Sequence, residues 1–545
     1  MAVSQPALRG MHSSTGVVDA RGLVDKFWSM VQKINTGGVA AGHEKTVEAA
    51  AIILDAGGNA WDAALAAMAA ACVVEPVLAS LGGGGFMLAQ AAENPANPVL
   101  YDFFAHTPKK PRPADEVDFY PVIADFGTAQ QEFHVGAGSV AVPGMVAGMD
   151  AIHADLGTIP MATILEPAIS LAKKETAISP FQSYLFGVVS GIYDQCPESL
   201  ACFGSPGGGL AKSGDLLTNP DLAVTFEALV QSGARYFYEG DIARKIEAFS
   251  RDHGGHVSLE DLAEYEVVRR KPLSIEYGGA TVLTNPAPST GGVLIGFGLQ
   301  LLDHVRADNH DVSELDLVRV MEATNHARLE SGLTMLESGA YGTLRDDAFL
   351  SRYRDDILAH PESFRGTTHI SVIDATGNAA TVTLSNGEGC GRMLPGTGYM
   401  LNNMLGEEDI NPRGFHNWPT DTRMCSMMAP SLIAHADGRL TALGSGGSNR
   451  IRTAILQVIR NLVDAEMGLA SAIDAPRMHS ENGKLAVEGF FPEATMAALS
   501  AQMGDLTVWP EKNMYFGGVH AVTHSKSKKM EAVGDFRRGG AARVI

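Results

Sequence analysis

The sequence predicts a layered fold of α-helices and β-strands, of the α/β or α+β class. Three patterns lead to this prediction: apolar helix-like stretches early in the chain, strand-like alternation directly after Thr367, and further strand and helix patterns beyond it. Strands bracketed by helices pack as layers around a shared core. At 545 residues the chain is too long for one small core, so two lobes or one large sandwich are expected.

Two apolar helices are predicted in the first 75 residues of the chain. The first runs over Glu44–Asp55 and ends at the glycine stop that follows it; the second covers Ala60–Val74. Both are apolar almost all round, which is typical of interior helices. The second contains Asp62 and is shorter than the ~20 apolar residues that a membrane span needs. We therefore expect a buried helix, followed by a glycine cluster and a short strand at residues 81–88.

The middle of the chain alternates between helical segments and connections. Helices are expected at Ala162–Lys174, Leu222–Ser232 and Val312–Gly332. The segment Arg345–Arg365 is strongly charged and contains a proline, so it is expected to be a solvated connector.

A β-hairpin is predicted after Thr367, where the sequence changes from a charged segment to strand-like alternation. Thr368–Asp374 alternates branched and polar residues, and Ala379–Leu384 is a second β-rich run after a glycine-containing turn. Further strands are expected at Ser431–His435 and Leu440–Leu443, and a helix at Thr453–Met467.

Composition narrows the function. A formal net charge of −21 argues against nucleic acid and anionic membrane surfaces as partners, because both attract basic patches. The N-terminus lacks a basic start followed by an apolar stretch, and five cysteines are scattered without a CxxC pair. We therefore expect no secretory signal, free thiols and a cytoplasmic protein.

Familiar catalytic motifs are missing from the sequence. It contains no GxSxG nucleophile elbow, no GxxxxGK[ST] phosphate loop and no HExxH zinc motif. The seventeen histidines show no metal-ligand spacing, so neither a metal nor a cofactor is expected.

The strongest candidate for chemistry is Thr367. A hydroxyl is a poor nucleophile unless a base takes its proton. Cutting the chain before Thr367 would free an α-amine that serves as that base. Gly366 is small, a charged connector precedes it and a strand follows, which suits such a cut. On its own, however, a Thr-Thr pair that opens a strand most often reflects plain β-propensity.

Ordered blocks along the chain resemble those of the gamma-glutamyltransferase family. The resemblance is carried by the following segments, in chain order: Asp55–Ala64 (DAGGNAWDAA), Leu81–Met87 (LGGGGFM), Ser139–Gly144 (SVAVPG), Pro286–Gly292 (PAPSTGG), Thr367–Val372 (TTHISV) and Asp474–Arg477 (DAPR). It implies the α+β, four-layer αββα sandwich of the N-terminal-nucleophile hydrolases. It also implies self-cleavage into residues 1–366 and 367–545, which remain one interleaved domain as a heterodimer, and no cofactor.

The resemblance also implies roles for individual residues. Thr367 is the nucleophile and, after the cut at Gly366, carries the catalytic amine. Ser385 takes the place of a hydroxyl residue that hydrogen-bonds the nucleophile. Gly447 and Ser448 are expected to supply the backbone N–H groups of the oxyanion hole.

The departures from the family concentrate on substrate recognition. Phe104 replaces an arginine that binds the substrate carboxylate, and Gly387 replaces an asparagine. Asn403 is kept, and Glu407 stands where an aspartate would contact the substrate amine. Of the family's paired serines only the first is kept, as Ser426, and the second is Met427. The segment between Asn403 and Ser426 is also shorter than in typical members, so the lid loop over the pocket is expected to be short or missing.

A small-molecule amide is the expected substrate. The leading hypothesis is a self-processing threonine hydrolase for gamma-glutamyl or related acyl amides, with hydrolysis favoured over transfer. One alternative is a hydrolase for a non-glutamyl amide, glutaryl-type or oxamate-like. Another is an inactive relative that only binds.

Overall fold

Two antiparallel β-sheets face each other in the computed structural model, which describes residues 36–125, 130–307, 312–331, 366–411, 413–481 and 483–545. These residues form one unit of the chain, Thr36–Ile545. The predicted connector Arg345–Arg365 lies outside the described residues.

The strands of the described residues are numbered in chain order. They are β1 Gly37–Ala41, β2 Gly84–Gln90, β3 Val99–Phe103, β4 Tyr120–Asp125, β5 Gln130–Val135, β6 Thr176–Ala177, β7 Leu216–Leu217, β8 Val268–Arg270, β9 Leu273–Tyr277, β10 Ala280–Thr284, β11 Thr368–Asp374, β12 Ala379–Ser385, β13 Ser431–Ala434, β14 Leu440–Gly446, β15 Met478–Glu481, β16 Lys484–Glu488, β17 Asp505–Trp509, β18 Gly518–His524, β19 Met530–Val533 and β20 Ala541–Val544.

The helices of the same residues are numbered in the same way. They are α1 Glu44–Asp55, α2 Ala60–Val74, α3 Met145–Leu156, α4 Met161–Lys173, α5 Pro180–Val188, α6 Ser190–Tyr193, α7 Pro197–Phe203, α8 Pro220–Ser232, α9 Arg235–Glu239, α10 Asp241–Asp252, α11 Leu259–Ala263, α12 Thr290–Ala307, α13 Glu314–Glu330, α14 Arg450–Val463, α15 Leu469–Asp474 and α16 Glu493–Gln502.

Both sheets contain strands from before and from after Thr367. The first sheet has the order β20-β1-β11-β12-β2-β3-β8, and the second has the order β19-β18-β14-β13-β10-β9. The hairpin predicted from the sequence is formed by β11 and β12, with Thr368 opposite Leu384. On the far side of β12, Ser385 lies opposite Gly84, in the strand that follows the glycine cluster.

The two sheets form the middle layers of a four-layer αββα sandwich. β11 and β12 pack on β14 and β18, α1 and α2 cover the first sheet, and α12 and α14 cover the second. Side chains of β11 alternate accordingly: Ile370 and Val372 point into the core beneath α2, whereas His369 and Ser371 lie between the sheets. The predicted α+β sandwich is confirmed.

Most of the predicted elements are present, with shifted ends. The alanine-rich α2 is buried as expected, and Asn59 and Asp62 form a capping box at its start. The helix predicted at Thr453–Met467 begins at Arg450 and ends at Val463, because it starts directly from the glycine turn. Among the described helices, none combines the length and apolarity needed to cross a membrane.

Candidate active site

Thr367 lies at the entry to β11, beside the end of β12. Its Oγ1 donates a hydrogen bond to the carbonyl oxygen of Gly366 at 2.8 Å. Ser385, the last residue of β12, donates from Oγ to the same oxygen at 2.9 Å. Two hydroxyl groups from neighbouring strands therefore converge on the carbonyl of one peptide bond, the one between Gly366 and Thr367.

The turn after β12 also holds Gly366 on its N-terminal side. The backbone N–H of Gly366 donates to Glu388 Oε1 at 2.8 Å. Ser385 Oγ accepts from the backbone N–H of Gly387 at 3.0 Å, which orients its own proton towards Gly366. Gly387 has φ of +62°, a conformation that favours glycine.

The glycine turn predicted as an oxyanion hole follows β14 and lies against Thr367. A Cβ added to Gly446 would lie 2.0 Å from the carbonyl oxygen of Thr367, so this close approach requires glycine. The next two residues, Gly447 and Ser448, have φ of +123° and +54°. Successive N–H groups in such turns form anion-binding concavities.

Ser448 is held in this strained conformation by a partner on another loop. Its Oγ donates to Asp409 Oδ2 at 2.8 Å. The carbonyl oxygens of Gly447 and Ser448 accept from the N–H groups of Arg450 and Ile451 at 3.1 and 3.0 Å. The turn is therefore the start of α14.

Arg538, on the C-terminal segment, lies behind Thr367. Its Nη1 donates to the carbonyl oxygen of Thr367 at 2.9 Å. Burial, followed by the neighbouring Arg450 guanidinium, lowers the pKa of Arg538 to about 10. Arg538 remains protonated at neutral pH and fixes the backbone of Thr367.

A buried carboxyl group supports the next residue of the strand. Thr368 Oγ1 donates to Glu75 Oε2 at 2.7 Å, and Thr46 Oγ1 donates to Glu75 Oε1 at 2.8 Å. Burial raises the pKa of Glu75, while the two hydroxyl donors and Arg538 oppose that rise. Glu75 thus joins α1, α2 and β11 at a point one residue away from Thr367.

His369 is the histidine nearest to Thr367 in sequence, and it is turned away from it. Its ring lies between the sheets, with Nδ1 2.9 Å from Thr383 Oγ1 and Nε2 3.0 Å from Ser371 Oγ. Burial, with a smaller effect of His520, lowers the pKa of His369 well below its usual value. His369 is therefore a neutral structural group and not a base for Thr367.

A cavity that is partly open to solvent lies next to Thr367. Its described lining combines hydroxyl, acidic and apolar side chains. The lining residues are Phe104, Thr367, Ser385, Met404, Glu407, Asp409, Ile410, Ser426, Met427, Met428, Ser448 and Ile451. Among the residues that the structure describes, no group of three or more His, Cys, Asp or Glu side chains is arranged to hold a metal ion.

Most of the predicted site residues come together at this cavity. Thr367, Ser385, Ser448, Phe104, Glu407 and Ser426 all line it. Gly387, Asn403 and Gly447 are not among the described lining residues. Asn403 is turned to structural partners: its Oδ1 accepts from Glu388 N–H at 2.9 Å, and its Nδ2 donates to the His134 carbonyl at 3.3 Å.

Four residues at the site were not singled out from the sequence: Glu75, Glu388, Asp409 and Arg538. Glu75 and Arg538 contact the site across a long stretch of chain, and 293 residues separate Glu75 from Thr368. Asp409 belongs to the acidic run that contains Glu407, which was the one available signal. For Glu75 and Arg538 no local pattern pointed to Thr367.

Comparison with known proteins gives a consistent result. A family model described as gamma-glutamyltranspeptidase matches residues 46–545. The chain is similar to an acylase, Acylase ACY 1 proenzyme of Pseudomonas sp. (strain SE83), at 30% identity over 533 residues, covering 93% of each chain. It is similar to the glutathione hydrolase proenzyme of Pseudomonas aeruginosa at 28% identity over 554 residues, covering 94% of this chain and 95% of the relative.

A solved structure gives the same fold. The cephalosporin acylase from Bacillus halodurans matches with a TM-score of 0.78 and 23% identity, covering 94% of this chain and 96% of that one. Fold and site together define an amide hydrolase with the N-terminal-nucleophile hydrolase fold. The chain belongs to the gamma-glutamyltranspeptidase family.

Proposed function

We propose that the chain is a self-processing threonine hydrolase, which cuts itself between Gly366 and Thr367 and then hydrolyses gamma-glutamyl or related acyl amides. The observation that supports this most is the pair of hydroxyl groups at the Gly366 carbonyl, Thr367 Oγ1 at 2.8 Å and Ser385 Oγ at 2.9 Å. The two relatives named above are both described as proenzymes, which agrees with maturation by a cut.

The maturation step uses only groups of the chain and one water. Thr367 Oγ attacks the carbonyl carbon of Gly366, and Ser385 stabilises the negative charge on the carbonyl oxygen. The C–N bond breaks, the hydroxyl proton passes to the nitrogen, and Gly366 is left as an ester on Oγ. Water hydrolyses this ester, giving a Gly366 carboxylate and a free α-amine on Thr367.

Turnover repeats the same chemistry on a substrate. The neutral α-amine takes the proton of Thr367 Oγ, which attacks the substrate carbonyl, and the N–H groups of Gly447 and Ser448 stabilise the oxyanion. The leaving amine departs with a proton, and water releases the acyl group from the ester. The product enzyme is a heterodimer of its own two fragments, of 366 and 179 residues.

We further propose that hydrolysis exceeds transfer to an acceptor amine. The short segment between Asn403 and Ser426 is bonded back along Ala105 and Thr107, with Thr107 N–H donating to the Thr422 carbonyl at 2.9 Å and Met424 N–H to the Ala105 carbonyl at 3.1 Å. A segment held in this way leaves the cavity partly open to water.

One observation favours a second candidate, hydrolysis of an amide whose acyl group is not glutamyl. Phe104 lines the cavity where the resemblance places a carboxylate-binding arginine. One of the similar relatives is named an acylase and not a glutathione hydrolase, which supports this second candidate. The inactive, binding-only alternative has no observation in its favour.

The cut is tested by following the purified precursor on a denaturing gel. We expect fragments of 366 and 179 residues, with the smaller one beginning at Thr367. Thr367→Ala removes the hydroxyl and should leave one full-length band with no amidase activity. Thr367→Ser keeps a hydroxyl at the same position and should still be cut. A full-length wild-type band, or a cut at another residue, would contradict the proposal.

A further inference from the structure

The charged side chains that line the cavity are both acidic. Glu407 and Asp409 line it, and no described lining residue is a lysine, arginine or histidine. The remaining wall away from the hydroxyl groups is apolar. It consists of Phe104, Met404, Ile410, Met427, Met428 and Ile451.

The Arg423 guanidinium group, which contacts the backbone of Phe104, is committed to other partners. Arg423 donates from Nη1 to the carbonyl oxygen of Phe104 and to Tyr265 Oη, and from Nη2 to the carbonyl of Glu266. Its Nε lies 3.5 Å from the buried Asp102. Arg423 is therefore behind the backbone of Phe104, and the Phe104 ring, stacked on Phe86 at 5.5 Å, faces the cavity in its place.

The hydroxyl groups of the cavity are a poor substitute for a cation. Thr367 and Ser385 bond to the Gly366 carbonyl, Ser448 donates to Asp409, and Ser426 Oγ accepts from Met428 N–H at 3.0 Å. A carboxylate moved from water into such a site loses its hydration without gaining an ion pair. The two acidic residues add like-charge repulsion.

We infer that this site takes an acyl group without a carboxylate: an apolar chain beyond the reacting carbonyl, bound better when it carries an ammonium group facing Glu407 and Asp409. The inference rests on the proposed function and narrows its substrate class. Arg328 moderates the acidic field, since its Nη2 donates to the backbone oxygen of Asp409 at 3.2 Å. The net charge of −21 acts in the same direction as the cavity, against anionic substrates.

Four p-nitroanilides separate the two charges of a glutamyl group. Gamma-glutamyl carries ammonium and carboxylate, glutaryl carries the carboxylate alone, 4-aminobutanoyl the ammonium alone, and butanoyl neither. In each reaction the acyl group is transferred to Thr367 Oγ, p-nitroaniline leaves with a proton, and water hydrolyses the ester. The matured wild-type enzyme is used, and release of p-nitroaniline gives kcat/KM.

The expected order of kcat/KM is 4-aminobutanoyl, butanoyl, gamma-glutamyl, glutaryl. Adding the carboxylate should lower kcat/KM by about tenfold or more in both pairs, glutaryl against butanoyl and gamma-glutamyl against 4-aminobutanoyl, because like charges oppose each other in the site. If the carboxylate raises kcat/KM in either pair, or the matured enzyme hydrolyses none of the four, the inference is wrong although the proposed self-cleavage stands. A chain that is never cut overturns both.

A pair of variants tests the part played by Phe104. Phe104→Arg offers a guanidinium to the cavity, and Phe104→Met is a matched control with an uncharged chain. The ratio of glutaryl to butanoyl kcat/KM should rise about tenfold or more in the arginine variant relative to the methionine variant. Only variants that are cut to two fragments are compared, and the wild-type substrate order decides the inference if the arginine variant is not cut. Equal ratios in two matured variants would contradict the role assigned to Phe104.

Discussion

At the scale of single residues, the carbonyl oxygen of Gly366 is the atom on which the proposed maturation depends. It accepts two hydrogen bonds, one from Thr367 and one from Ser385. The Ser385 hydroxyl is itself held by the N–H of Gly387. A donor fixed before the reaction stabilises charge as it develops, without reorganisation. The Ser385 hydroxyl is therefore held at the Gly366 carbonyl in the uncut chain, as the proposed cut requires.

Replacing Ser385 by alanine should slow the cut. Loss of one such donor lowers the rate by about a hundredfold or more, measured as the half-time of the full-length band after purification. Ser385→Thr keeps the hydroxyl and should mature within about tenfold of the wild-type rate. An alanine variant that matures as fast as the threonine variant would show that Ser385 does not act on the Gly366 carbonyl.

The residues that could be found from the sequence are those in contiguous blocks. Thr367 was predicted from the chemistry of a chain cut before it, and Ser385, Gly447 and Ser448 were predicted from the resemblance to the gamma-glutamyltransferase family. Arg538 could not be found in this way, because it reaches the Thr367 carbonyl across 171 residues. Its role depends on how β20 and the segment before it pack, which no local pattern encodes.

At the scale of elements, Glu75 connects three of them, α1, α2 and β11, one residue away from Thr367. It follows the last residue of α2 and accepts from Thr46 on α1 and Thr368 at the start of β11. Burial raises its pKa, so folding favours the protonated carboxyl group. That contribution to stability is fully present below the unfolded pKa and is lost as the pH rises through the folded pKa.

Glu75→Gln should therefore become relatively more stable as the pH rises. The difference in free energy of unfolding, variant minus parent, should increase between about pH 5 and pH 8. The increase should be about 1.4 kcal/mol for each unit by which the folded-state pKa of Glu75 exceeds its unfolded pKa. Parent and variant both carry Thr367→Ala, so that one uncut polypeptide unfolds, and unfolding is followed by urea denaturation. The exposed Glu93→Gln is the control. A difference that stays constant with pH for Glu75→Gln would contradict this prediction.

Some strands could be predicted from the sequence and others could not. The hairpin of β11 and β12 was predicted because branched and polar residues alternate on both sides of a clear turn. β1 was not predicted, since Gly37-Gly38-Val39-Ala40-Ala41 has one β-branched residue and no alternation. Its strand conformation comes from its neighbours, β11 on one side and β20 on the other, and is therefore a tertiary effect.

At the scale of the whole molecule, the sheet order determines whether the proposed cut could separate the two fragments. In the first sheet β1 separates β20 from β11, and β12 pairs with β2 over seven residue positions. In the second sheet β13 pairs with β10. Each of these contacts joins residues before Gly366 to residues after Thr367. Separating the fragments would expose strand edges and both cores together.

The two fragments are therefore expected to remain one particle after maturation. On native size-exclusion chromatography, wild-type protein should elute as a single peak at the volume of the uncut Thr367→Ala chain, and a denaturing gel of that peak should show both fragments. The physical reason is that β1 of the large fragment has both of its neighbours, β11 and β20, in the small one. Two native peaks, each with one fragment, would mean that the fragments fold independently.

The small fragment produced alone is the matching control. Without β1 and β2 it lacks partners on both sides of the β11–β12 hairpin, and it should be insoluble or bind a hydrophobic dye.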